Sequence, residues 1–354
     1  MSRRVLTSLL VGFAAVAAVV LVPLSVGTSW TAVTHSLDQV SGVELAALTA
    51  LWLSGLWAHS WVLTASLPGL TRRRALTLNL SGSAVANVLP AGGAAGVGLN
   101  FAMVRSWGFS SGRFATYTVV SNVADVAAKL VVAVVGFGAL LLAGRSAQLP
   151  GTTVEVVVAG LLLVLPLFAL ILVSARVAHA VGVQCDRLVR LASALVRAPR
   201  RTDLARKLPA LRSTAVRALA SAWQQITLGM AAYVSLQGVL LWACLHVLGS
   251  GLGTTAVLAA LAVDRLLTIL PLTPGGAGVV EAGSAAALVA LGALPVTATA
   301  AVLLFRAFTF AMEIPVGGVV GGLWLLRRRQ ARVAKAAHTD RRTAVASLQP
   351  AGRR

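Results

Sequence analysis

Few side chains in this sequence could do chemistry, and they gather where the chain breaks its own helices. Glu281 follows Pro274, Gly275, Gly276 and Gly278 inside an apolar stretch, and Arg306 lies in the next apolar run. Pro271, Pro274 and the Gly pair deny a helix its hydrogen bonds, so the backbone opens there and a new helix starts near Ala277. At membrane depth such an opening is tolerated only where protein buries it or it lines a water-filled cavity, and an ionisable residue beside it is a functional candidate. A helix that starts there turns backbone N–H groups and the positive end of its dipole toward an anion such as a phosphate. Gly275 and Gly276 let the backbone approach closely. A second break at Pro90, Gly92 and Gly93 offers the same chemistry.

The other candidates are charges in apolar runs. Asp264 and Arg265 precede the second break, Glu313 follows Arg306 by seven positions, and Asp125 and Lys129 are four apart. With Glu281 these are the residues that could gate a pathway or carry a proton. Spacing puts Arg306 and Glu313 on one helix face, and Asp125 and Lys129 on another. Pairing for structure is the competing role: Arg306 could hold the bundle by bonding Glu281 or Glu313, because buried ions demand partners. Cys185 and Cys244 form neither a disulfide framework nor a metal-ligand spacing, and there is no phosphate-binding GxxxxGK[ST] loop. No metal, cofactor or direct use of ATP is expected.

These residues need a membrane bundle to position them. The chain has 354 residues, of which 58% are hydrophobic and 11% charged, with a mean hydropathy of +0.87. That composition belongs to an all-α polytopic membrane protein rather than a soluble domain. The net charge of +20 sits in clusters that flank apolar runs: Arg3 and Arg4, Arg72 to Arg74, the stretch Arg176 to Arg217, and Arg327 to Arg329. This is the positive-inside pattern and an attraction to anionic lipid, and it argues against a nucleic-acid partner.

In order, spans are expected at about Val5–Val26, Val43–Leu67, Phe114–Leu142, Val154–Ala175, Leu228–Leu248 and Ala298–Leu326. Two broken hairpins lie between them, at about Ala75–Val104 and Thr254–Leu291. The Lys/Arg flanks place both termini in the cytoplasm, in an inner (plasma) membrane. The segment 176–221 is either an amphipathic connector lying on the anionic inner leaflet or a solvated loop. Residues 327–354 form a basic tail expected to be disordered. Gly317, Gly318, Gly321 and Gly322 make small-xxx-small pairs that pack a neighbouring helix.

A gap-free shift of 184 positions lays Pro90 on Pro274, Gly92 on Gly276, Asn122 on Arg306 and Lys129 on Glu313. Both halves, about 43–142 and 228–326, then read span, broken hairpin, span. The charge flanks make the first hairpin enter from the cytoplasm and the second from outside. Opposed broken segments in two inverted halves point to a transporter's midplane site. The expected architecture is therefore an inverted repeat with six spans and two re-entrant broken-helix hairpins.

The run Pro274-Gly275-Gly276-Ala277-Gly278-Val279-Val280-Glu281 resembles the PGG-x-G-x-x-E signature of the lysylphosphatidylglycerol synthase transmembrane-region family, the flippase-like membrane half of the multiple peptide resistance factor. The resemblance extends more weakly over about 40–325. It implies translocation of a phospholipid or polyprenyl-linked lipid with an anionic headgroup, and it assigns the motif Glu to Glu281 and the Arg of the following span to Arg306. Relatives carry charged residues after the first hairpin's Pro and an acidic or Arg pair in the third span; here those positions are Gly, Ala and Asn122. Two other functions compete. One is a non-transporting subunit that serves envelope-biosynthesis enzymes. The other is a lipid-modifying transferase, for which the resemblance would require a synthase domain after the last span, where about 28 residues follow.

Overall fold

A computed structural model describes residues 17–89, 92–144, 153–195, 203–269 and 273–347. Among these the structure is helical, with no strand. Four helices, or helices in continuous series, are long and apolar enough to cross a membrane: Gly42–Ser66, Ser111–Leu142, Val216–Val247 and Pro295–Gln330. Two bent pairs raise the total to six when each is one span. These are α1 (Ala17–Ser25) with α2 (Trp30–Asp38), bent by 91°, and Glu155–Ile171 with Ala175–Arg187, bent by 115°. The chain is an all-α polytopic membrane protein.

Local chemistry sets the helix starts. The span α3 (Gly42–Ser66) opens on a capping box in which the Ser41 hydroxyl accepts from Glu44 N–H while the Glu44 carboxylate accepts from Ser41. Thr71 caps α4 (Arg72–Val88), and Ser110 caps α6 (Ser111–Leu142). The first hairpin is α4 followed by α5 (Gly92–Ser106), which pack on each other; Gly92 and Gly96 lie so close to the carbonyls of Ala86 and Gly82 that a Cβ would collide. The second hairpin is α10 (Thr254–Leu267) followed by α11 (Val279–Ala290). The last span is α12 (Pro295–Arg306), a π turn at Ala307–Ala311, and α13 (Glu313–Ser347).

The two halves make matching contacts. The leading spans, α3 and α9 (Leu204–Val247), pack on each other. The first arm of each hairpin packs against the closing span of the other half, α4 on α13 and α10 on α6. Both crossings are built on glycine over a carbonyl, Gly317 on Leu80 and Gly136 on Leu258, with no room for a Cβ.

Two features differ from the sequence reading, and a third settles an alternative it left open. Residues 27–42, expected as a loop, contain α2, which turns at a right angle from α1 and packs on α12. After α7 (Thr153–Val173), the connector takes the helical form of its two expected forms: α8 (Ala175–Leu195) followed by the first part of α9, which joins the fifth span through a kink at Ala222 (φ −137°). The tail expected to be disordered from 327 continues the helix to Ser347, as its Ala, Arg, Lys and Gln, all strong helix formers, allow.

Candidate functional site

The second break is a 3-10 turn at Pro274–Gly276, with Gly275, Gly276 and Gly278 all at positive φ (60°, 75° and 85°). Only glycine takes that conformation without strain. The positions are also crowded: a Cβ on Gly275 would strike the Phe310 ring and one on Gly278 would strike Ala18 of α1. Thr273 donates its hydroxyl to the Ala277 carbonyl at 2.8 Å and so closes the turn on itself.

Glu281 and Arg306 meet across this turn. Arg306 Nε donates to Glu281 Oε1 at 2.7 Å, and Arg306 Nη2 donates to the Gly275 carbonyl at 2.8 Å. The side chains are 7% and 4% exposed for Arg306 and Glu281. The other carboxylate oxygen, Oε2, accepts the Gly278 N–H at 2.6 Å. Glu281 therefore caps its own helix, and the N-terminus expected to be open to an anion is occupied by this carboxylate. The guanidinium lies over the Phe310 ring, 4.7 Å from its centroid. One arginine thus ties the broken backbone, the helix after it and the last span into one knot.

The first hairpin reaches the same place. The 3-10 turn packs on α4, and Asn87, near the end of α4, donates through Nδ2 to the Phe310 carbonyl at 3.4 Å. Its Oδ1 would lie 3.0 Å from a Cβ at Gly275. Pro90 lies outside the described residues. Gly92 serves the tight packing of α5 on α4, and a Cβ at Gly93 would meet open space.

A family model for the lysylphosphatidylglycerol synthase transmembrane region matches residues 6–317, which include both breaks and both members of the buried pair. The chain belongs to this family. It is thus a multi-pass membrane protein related to lipid handling. No curated protein and no solved structure matches it.

Elsewhere in this synthase-type membrane region the candidate charges fall into separate groups. Arg265 donates through Nε and Nη2 to Asp264 Oδ2 and through Nη1 to Gln237 Oε1, the last at 2.8 Å. The Asp264 Oδ1 atom is buried without a hydrogen-bond partner among the described residues. Lys129 bonds Asp125 at 2.8 Å, with 42% of the Asp125 side chain exposed, and this pair neutralises itself on α6. Among the described residues Glu313 makes no ion pair with Arg306, which bonds Glu281 instead. The π turn adds one residue to the helical ladder, sealed by Met312 N–H to the Ala307 carbonyl at 2.7 Å, and so turns α13 by about 100° relative to α12. Glu313 interacts with Ser83 and Asn87 of α4, and Arg306 and Arg265 act on it from beyond ion-pair distance. Asn87, Phe310, Thr273 and Gln237 escaped the sequence reading because none is charged; an Asn three residues before the Pro of the first break was the available signal for Asn87.

Proposed function

We propose that this protein moves a lipid or lipid-linked molecule with an anionic headgroup between leaflets by alternating access. The observation that carries the reading is Arg306, a guanidinium buried where two broken helices from inverted halves meet, tied by one carboxylate and one carbonyl. A phosphate carries several acceptor oxygens and could take both guanidinium donors that Glu281 and the Gly275 carbonyl now share. Exchange of carboxylate for phosphate on Arg306 opens the knot, releases the Gly278 N–H, and frees the helix N-terminus for the anion. Glu281 is the gate and Arg306 the binding group, with Gly275, Gly276 and Gly278 as the flexible frame.

The hydrocarbon part has a matching surface. An apolar groove of about 770 Å³ runs between α6, α9 and α10, lined by Ala124, Val131, Met230, Val234 and Leu261 among others. Along α9 it extends from Leu219 to Trp242, about 35 Å at helical rise, against a hydrocarbon core of about 30 Å. The Arg-rich flanks orient both termini to the cytoplasm of an inner membrane, and the basic face of α8 rests on its anionic leaflet.

The test is leaflet exchange of labelled anionic and zwitterionic lipid in proteoliposomes. Faster exchange of the anionic lipid, lost in Arg306→Met, supports the reading. Equal rates with empty vesicles, from protein shown to be folded, end it.

A further inference from the structure

Seven charges lie in the membrane-spanning core of the described residues: Asp125, Lys129, Asp264, Arg265, Glu281, Arg306 and Glu313. Three pairs account for six of them. Glu313 is left over, and among the described residues no cationic group comes within 4.0 Å of it. Glu313 is half-buried, and at membrane depth a carboxylate without a counter-charge is too costly to persist.

Its neighbourhood shows what neutralises it. Ser83 and Asn87 of α4 interact with the carboxyl group. On its other side is a small chamber of about 10 Å³ that Glu313 lines with Trp52, Tyr233, Gln237 and Thr309. That is the lower limit of space for one water molecule. Trp52 Nε1–H is buried with no acceptor among the described residues, a donor suited to a water or a carboxylate oxygen and useless to a metal ion. The titratable and charged groups that face Glu313 are Arg306 from α12, Arg265 from α10 and Tyr233 from α9. Tyr233 stacks on His59 of α3, with centroids 4.6 Å apart. Both arginines are already committed, to Glu281 and Asp264. α3 and α4 present only neutral groups to it, Trp52, Ser83 and Asn87.

We propose that Glu313 is the proton site of this protein, loaded through the one-water chamber, and that this proton is the coupling ion for the lipid movement proposed above, on which the coupling half of this inference rests. In the step a hydronium gives its proton to a carboxylate oxygen, leaving a neutral carboxylic acid and one water; only O–H bonds change. The π turn links the two sites, since Glu313 begins the helix that continues directly from the arm holding Arg306.

Two measurements test it on the full chain. In the first, proteoliposomes are given a gradient of one pH unit. One proton per lipid then drives about a tenfold difference in labelled anionic lipid between leaflets, since one pH unit is a factor of ten in proton activity. Glu313→Gln should still exchange lipid, but to a ratio of about one, and Glu313→Asp should recover the gradient response. A tenfold ratio in Glu313→Gln, or one driven by a sodium gradient at equal pH, overturns the proposal. The second is the infrared difference spectrum of the protein between acid and alkaline pH, which needs no transport. A protonated-carboxyl band present in wild type and Glu281→Gln, absent in Glu313→Gln and shifted in Trp52→Phe, is expected. Its persistence in Glu313→Gln overturns the proton site. A correct band pattern with no lipid exchange in wild type refutes the transport reading and the coupling, and leaves the proton site standing.

Discussion

Replacing Glu281 and Arg306, singly and together, separates a working ion pair from a strut. The pair makes three hydrogen bonds: Arg306 Nε to Glu281, Arg306 Nη2 to the Gly275 carbonyl, and Gly278 N–H to Glu281. Removing one member of a buried pair costs roughly 3–5 kcal/mol. The two single variants should not be equal. Arg306→Met leaves the carboxylate with the Gly278 N–H, a charge-assisted bond of about 1.5–3 kcal/mol, and should lie near the lower limit. Glu281→Gln leaves a guanidinium with neutral acceptors only, and should lie near the upper one. The double variant strands no charge and keeps an amide oxygen for Gly278, so it should fall within about 1–2 kcal/mol of wild type, because neutral replacement of a buried pair is often nearly free. Stability is read by reversible unfolding in mixed micelles, and function by leaflet exchange at matched protein density. The expected double variant is folded and does not move lipid. If it exchanges lipid at the wild-type rate, the pair is scaffold and the site assignment is wrong. If it is as unstable as Glu281→Gln, the energetic reasoning itself fails.

Further outcomes follow from the packing and the charge pattern. Gly317→Ala and Gly136→Ala place a Cβ against the carbonyls of Leu80 and Leu258 and should each cost about 1–3 kcal/mol, whereas Gly318→Ala meets open space and should be neutral or gain up to about 1 kcal/mol; unfolding midpoints decide. After removal of Cys185 and Cys244, single cysteines at Ser36 and Ser250 should label from outside intact cells and one at Ala210 should not, and outside labelling of Ala210 would invert the proposed topology. Purified protein given aminoacyl-tRNA and phosphatidylglycerol should form no aminoacyl lipid, as checked by thin-layer chromatography of the lipid extract.

The parts of the molecule most legible in sequence were those where a residue type forbids an alternative. Pro274 and the glycines after it cannot continue a helix, so the second break was readable, and the same holds for the break between α4 and α5. The meeting of Glu281 with Arg306 was readable as one of two pairings, because a buried arginine must find an acid. Which acid it finds depended on the π turn at Ala307–Ala311, and hydrophobic periodicity carries no signal for a single stored residue. The cap that Glu281 makes to Gly278 was also out of reach, since Gly278 gives no side chain by which to recognise an N-cap. α2 was hidden by its length: nine residues flanked by Thr, Ser and Gln read as a loop until α12 supplies a surface for them. The neutral partners Asn87, Gln237 and Thr273 act through tertiary placement alone.

The π turn makes the last span a screw as well as a strut. One residue is stored as slack between Arg306 and Glu313, and drawing the turn out to regular α-helix would lengthen the shaft by about 1.5 Å and rotate its lower part by about 100°. That motion needs no glycine hinge and no loss of a transmembrane residue to water. It would lift Gly317 off the Leu80 carbonyl and turn Glu313 out of its chamber toward the arginine above it. Twist and reach are thus geared together in a single helix, and a one-residue deletion within 307–311 would remove the slack and lock that gear in its present setting.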